Sequence, residues 1–198
     1  MYWCLSVVVE GPSDQHYLSA IKNYLIGRGL ITPKREILFV PAGGIKGVNA
    51  VAPILSSNNE ALPNIILDSD SSGQGLAKQL KSNFYSGAAD RIIMVGDFWK
   101  LPNVEIEDLF PISFLAKIIT RYLRGPKDDF SDEVVEGEPM VPQVQKYAQK
   151  YGLKLEPGWK VEVAKQTKTR LLQSEKPLKS DDKDVVEMWK ALFLKMES

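Results

Sequence analysis

The residues in this chain best suited to chemistry are carboxylates that follow short apolar runs: Glu10, Asp14, Asp68, Asp70, Glu105 and Glu107. Asp68-Ser69-Asp70 and Glu105-Ile106-Glu107 each place two acids at i and i+2. In extended backbone such pairs face the same way, so each can flank one site. Glu10 and Asp14 stand four apart across Gly11-Pro12 and share a face if a helix begins at once. Acids gathered in one crevice repel one another and are driven toward protonation unless a cation joins them. The chain has one His and one Cys, so hard oxygen ligands favour Mg²⁺ or Mn²⁺ over Zn²⁺, with Ca²⁺ as a non-productive substitute. Each pair of acids could bridge or flank a pair of such ions. With one ion, Glu10 would act as general base. Each motif also has a plainer reading. Asp-x-Asp after a strand is a turn and helix-cap device, and Glu107-Asp108 is what a helix dipole favours in a first turn. Joint occurrence after three strands points to a metal site instead.

Positioning those acids requires repeated strand-turn-helix units. Residues 3–9 form a β-branched run without alternation, as a strand buried on both faces requires, and it ends at Glu10. Ser13 or Asp14 can cap a helix carrying Tyr17, Leu18, Ile21 and Leu25, stopped at Gly27 and Gly29. Further strands are predicted over 37–40, 64–67 and 91–95, with helices over 48–55, 76–84 and 107–123. This alternation predicts an α/β fold with a mostly parallel, Rossmann-like four-stranded sheet covered by helices on both faces. In such sheets ligands bind at the carboxyl ends of the strands, where these acids fall. The α/β core is assigned to 1–124, an acidic and Pro-rich loop or insertion to 125–142, and a helical elaboration packed on the core to 143–198. That last part holds helices predicted over 144–151, 161–172 and 185–194.

Twenty-five basic residues balance 25 acidic ones, so net charge gives no global case for a polyanionic partner. The basic residues nevertheless gather between Lys146 and Lys179, where a phosphate-contacting surface or ordinary solvated helix faces are the two readings. Cys4 lies in an apolar run and reads as core; with no second cysteine there is no internal disulfide, which suits a reducing compartment. No stretch reaches the ~18–20 apolar residues of a membrane span, and no signal-peptide pattern opens the chain, so the cytoplasm is expected. Gly43-Gly44 with Lys46 reads as a tight turn or as a phosphate contact. His16 reads as a helix-surface residue, and the four tryptophans are too scattered for a base-stacking platform, although Trp99 falls in a loop on the acidic face.

The segments Val8-Val9-Glu10-Gly11-Pro12-Ser13-Asp14, Ile66-Leu67-Asp68-Ser69-Asp70 and Val104-Glu105-Ile106-Glu107-Asp108-Leu109-Phe110-Pro111 resemble the Toprim domain, and most of all that of the overcoming-lysogenization-defect (OLD) nucleases. The resemblance covers residues 4–112 well and the remainder loosely. It implies a two-metal DNA endonuclease in which Glu10, Asp14, Asp68, Asp70, Glu105 and Glu107 are ligands. The family often has Glu where this chain has Asp14. It also implies a functional lysine at a helix start in the C-terminal region. Gly158-Trp159-Lys160-Val161 resembles that context, with Lys165 as the alternative and a plain surface lysine as the bland reading. The catalytic set then reads Glu10, Asp68, Asp70 and Lys160. OLD proteins usually carry an ATPase domain, and no Gly-x-x-x-x-Gly-Lys-[Ser/Thr] loop occurs here, so an ATPase domain or subunit supplied elsewhere is the expected partner. The resemblance suggests a role in phage defence or DNA repair. Two other functions fit the acids. One is a metal-dependent phosphatase, which needs a nucleophilic Asp where this chain has Glu10. The other is a non-catalytic module that binds nucleic acid or protein.

Overall fold

The computed structural model describes residues 4–57, 62–99, 101–124 and 129–198. Trp3 of the first predicted strand and residues 125–128 of the predicted insertion lie outside them. Four parallel strands form one sheet: β1 (Cys4–Val9), β2 (Glu36–Pro41), β3 (Asn64–Leu67) and β4 (Ile92–Met94), in the order β2-β1-β3-β4. Pairing sets Val7 opposite Phe39 and Asn64, and Ile66 opposite Ile93.

Alternate residues of each strand enter different cores, which is why the strands read as unbroken apolar runs. Val7, Val9, Ile66 and Ile93 join the larger core, together with Tyr17, Leu18 and Ile21 of α1 (Pro12–Gly27). Phe114 and Leu115 of α4 (Ile112–Leu123), Val163 of α7 (Trp159–Gln173) and Trp189 of α8 (Lys183–Glu197) belong to the same core. Val8, Ile65, Leu67 and Ile92 join a smaller core with Val48 and Ala52 of α2 (Ile45–Ser57) and Leu76 and Leu80 of α3 (Ser71–Ser82). Helices therefore cover both faces, as expected. No helix among the described residues is long and apolar enough to cross a membrane.

Several boundaries differ from the sequence reading, each for a local reason. The helix predicted over 107–123 is two elements: a 3-10 turn at Ile106–Leu109, then α4. Phe110, at φ −99° and ψ 148°, is extended because the residue before a proline is pushed out of the helical region by Pro111. The first helix begins at Pro12 rather than after a Ser13 or Asp14 cap. Proline suits a first helical position because its missing N–H would have no partner there. The third helix starts at Ser71 because Asp70 caps it, accepting from the Gly73 N–H at 2.7 Å. The predicted 125–142 loop contains a short helix, α5 (Phe130–Glu133), whose Phe130 ring is buried against Tyr147 of α6 (Met140–Lys150). Cys4 is exposed rather than core, being the first residue of its strand.

The C-terminal helices belong to the main core. α7 lies along α1, and the Trp189 indole N–H of α8, fully buried, donates to the Leu109 carbonyl at 2.7 Å. That bond anchors the turn carrying Glu105 and Glu107 from beneath.

Candidate metal centre

The chain runs from β1 to β2 on one side and returns to β3 on the other, so β1 and β3 are neighbours whose following loops diverge. A crevice opens at such a switch point, beyond the carboxyl ends of the strands. Glu10 follows β1 and Asp68 follows β3. They are joined directly: the Asp68 N–H donates to Glu10 Oε1 at 3.2 Å. Asp68 Oδ1 in turn accepts the Ile106 N–H at 2.9 Å, drawing the third acidic segment onto the second. The Ser69 N–H reaches the Val104 carbonyl at 2.7 Å and Ser69 Oγ accepts from the Gly96 N–H at 2.7 Å, so the loops after β3 and β4 are laced together.

Two glycines permit that closeness. A Cβ on Gly73 would lie 2.0 Å from the Asp68 carbonyl oxygen, and one on Gly96 would lie 2.7 Å from Ser69 Oγ. Gly44 makes a third approach, its N–H donating to the Glu10 carbonyl at 2.7 Å from a positive-φ turn. The Gly43-Gly44 pair is thus a tight turn pinned to the end of β1.

Lys160 enters from the second residue of α7. Its ammonium donates to Glu105 Oε2 and stands 3.7 Å from Glu107 Oε1. Lys165 is exposed and pairs with Glu162 at 2.7 Å, so Lys160 is the lysine that reaches the acids. Glu107 is 3% exposed and its Oε1 has no hydrogen-bond partner.

Burial and mutual repulsion show in the proton affinities. Burial, followed by the charges of Asp14, Asp70 and Glu105, pushes Glu10 up to about 7 despite the Asp68 N–H. Burial also takes Glu107 to about 7, although Lys160 opposes it. Asp68 is raised well above the carboxylate range by burial and then by Glu107, Asp14, Glu10 and Glu105. Asp14 is raised by burial, tempered by the Gly11 N–H, Ser13 and Lys160. Burial alone would lower Lys160, but the charge of Glu107 and the bond to Glu105 outweigh it and raise its affinity for a proton. Six carboxylates therefore act on one another around one ammonium.

Not all of them are equally available. Asp14 Oδ2 accepts the Gly11 N–H at 2.8 Å and Oδ1 accepts the Ser13 hydroxyl at 3.0 Å, so it closes the start of α1. Asp70 Oδ1 caps α3, leaving Oδ2 for a further partner. Asp108 is a scaffold residue: it accepts the Glu105 N–H at 3.0 Å and the Met140 N–H at 2.7 Å. Its spacing, three residues after Glu105, is the capping signal that identifies it. Among the described residues, no three side chains of His, Cys, Asp or Glu are disposed to hold one ion as they stand. The donor set nevertheless suits a hard divalent cation, being all carboxylate and including the buried Oε1 of Glu107, which has the Lys160 ammonium at 3.7 Å but accepts no hydrogen bond.

Comparison with protein-family models, with curated proteins and with solved structures returns no match to this chain. Its chemistry has to be read from its own atoms.

Other residues weighed from sequence lie apart from the acids or within the packing. His16 is half-buried, its imidazole lowered by burial and by Lys168 and Lys165. Trp99 and Trp159 are partly buried against the larger core, and Trp189 is inside it. Sequence gave no hint of one polar interior. The buried Tyr17 hydroxyl and Thr167 Oγ1 face each other with no other partner, and the Tyr17 hydroxyl is raised well above 10 mainly by burial and then by the Glu107 charge, with Thr167 opposing.

Proposed function

We propose that this chain is a Mg²⁺- or Mn²⁺-dependent phosphodiesterase module acting on DNA, of the Toprim kind found in OLD nucleases. The observation that carries the reading is the charge imbalance at the switch point. Glu10, Asp14, Asp68, Asp70, Glu105 and Glu107 share one crevice, and among the described residues Lys160 is the only cation in an ion pair with any of them. A hard cation would relieve that imbalance. Glu10, Asp68 and Glu107 would hold it, with Asp70 and Glu105 beside them and Asp14 supporting from α1. Bound there, it would supply Lewis acidity toward a phosphate oxygen and lower the pKa of a water. Where a single ion is held by Asp68 and Glu107 alone, Glu10 is the carboxylate left to take a proton from an attacking water. The Lys160 ammonium can meet charge that builds on the phosphate. An ATPase domain or subunit elsewhere would complete the assembly.

One observation favours a second reading, a non-catalytic binding module: Lys160 already neutralises part of the charge on Glu105 and Glu107. Asp68→Ala separates the two. If the nuclease reading holds, the wild-type chain nicks or linearises plasmid DNA with Mn²⁺ and the variant loses this by ~10²-fold or more, with unchanged circular dichroism. Equal cleavage by wild type and variant defeats the assignment, and binding without cleavage across several metals supports the second reading.

A further inference from the structure

Between α4 and α7 lie two adjoining clefts, of about 530 Å³ and 240 Å³, that share Ile118, Arg121 and Arg170. Six cations line them from three stretches of chain: Lys117 and Arg121 from α4, Lys165 and Arg170 from α7, and Lys176 and Lys179 from the segment before α8. All six are exposed. Only Lys165 is in an ion pair among the described residues, and Asp182 is the one acid in the lining. The whole chain is neutral, so this concentration is not a reflection of composition. Like charges crowded without counter-ions are unfavourable unless a polyanion joins them.

We propose that the α4–α7 clefts form a track for the phosphate backbone of a polynucleotide strand. This rests on the nuclease reading, because the track leads away from the acids along α7. Arg170 follows Lys160 by ten residues, about 15 Å along the helix axis, on the order of four nucleotide steps of a B-form strand. Ten residues at 3.6 per turn also place Arg170 about 80° round α7 from Lys160, so a strand with one phosphate at the acidic crevice would bend around the helix to bring later phosphates to the clefts. Arginines on facing helices suit this role, since the guanidinium fork matches phosphate oxygens. The contacts are to backbone, so the track carries affinity rather than sequence preference.

The test is fluorescence anisotropy of a labelled oligonucleotide, single-stranded and as its duplex, with the full chain in EDTA so that no cleavage intervenes. Arg121→Glu with Arg170→Glu should weaken binding by tenfold or more, and the slope of log affinity against log salt should become shallower by about two. The neutral pair Arg121→Gln with Arg170→Gln should fall between that variant and wild type. Unchanged affinity and slope overturn the track, as does binding through these residues that is tighter to phosphatidylserine vesicles than to the oligonucleotide. Binding through these residues without cleavage in any divalent metal would leave the track standing and defeat the nuclease reading. Cleavage by a charge-reversed variant that also binds like wild type would do the reverse.

Discussion

Glu107→Gln should make the metal-free protein more stable at pH 8 while removing its response to metal. The Glu107 carboxyl is pushed from the ordinary 4.5 to about 7. At about 1.4 kcal/mol per pKa unit, that corresponds to about 3 kcal/mol of preference for the protonated form in the folded chain. Between those two values the folded chain holds a proton that the unfolded chain releases. The stability this group contributes is therefore fully present below 4.5 and is lost as pH rises through about 7. Glutamine keeps the shape without the charge. In EDTA, urea unfolding should give wild type a stability that falls between pH 5 and pH 8. The variant should lose less and exceed wild type at pH 8 by about 2–3 kcal/mol, with the two nearly equal at pH 4.5. Saturating Mn²⁺ should restore wild type by about 2.7 kcal/mol at a hundredfold excess over Kd, and the variant by much less. A wild-type stability that rises from pH 5 to pH 8, or a variant weaker than wild type at pH 8, would refute the reasoning and make Glu107 a satisfied structural acid.

Two further outcomes follow. Gly73→Ala should cost about 2–4 kcal/mol in urea unfolding, because its Cβ would meet the Asp68 carbonyl oxygen at 2.0 Å, whereas Gly75→Ala, two residues on with open space around it, should stabilise α3 by up to about 1 kcal/mol. Lys160→Met should abolish metal-dependent cleavage and cost about 1–3 kcal/mol at pH 8, less than for a fully buried pair because the lysine side chain is 33% exposed; Lys154→Met, at an exposed pair with Glu156 away from the acids and the clefts, should leave cleavage and thermal melting unchanged.

Much of this arrangement was legible in the residues. Unbroken apolar runs before Glu10 and up to Leu67 marked the two central strands; that they are neighbours, which sets Glu10 beside Asp68, is a property of the strand order, which the residues do not spell. Helix limits were less legible because caps act against periodicity: Asp70 starts α3 well before its apolar face at Leu76 and Leu80. The break at Phe110 had a visible cause in Pro111, yet the continuous apolar spacing on either side masked it. Asp108 was legible in part: its spacing from Glu105 signals a cap, while its second bond, from the Met140 N–H 32 residues on, is set only by tertiary packing. The choice of Lys160 over Lys165 depended on which side of α7 meets the turn at 106–109. Only packing against α1 settles that.

Lys160 and Glu105 are separated by 55 residues, with three α-helices between them. During synthesis the sheet and all six acids leave the ribosome well before α7 can dock, so the crevice spends that interval without its ammonium. An incomplete chain of this kind carries surplus negative charge and an uncovered α1, the exposed apolar surface that makes partly folded chains prone to misassembly before the native fold closes. Docking of the late helix is thus also the moment at which the crevice gains its counter-charge.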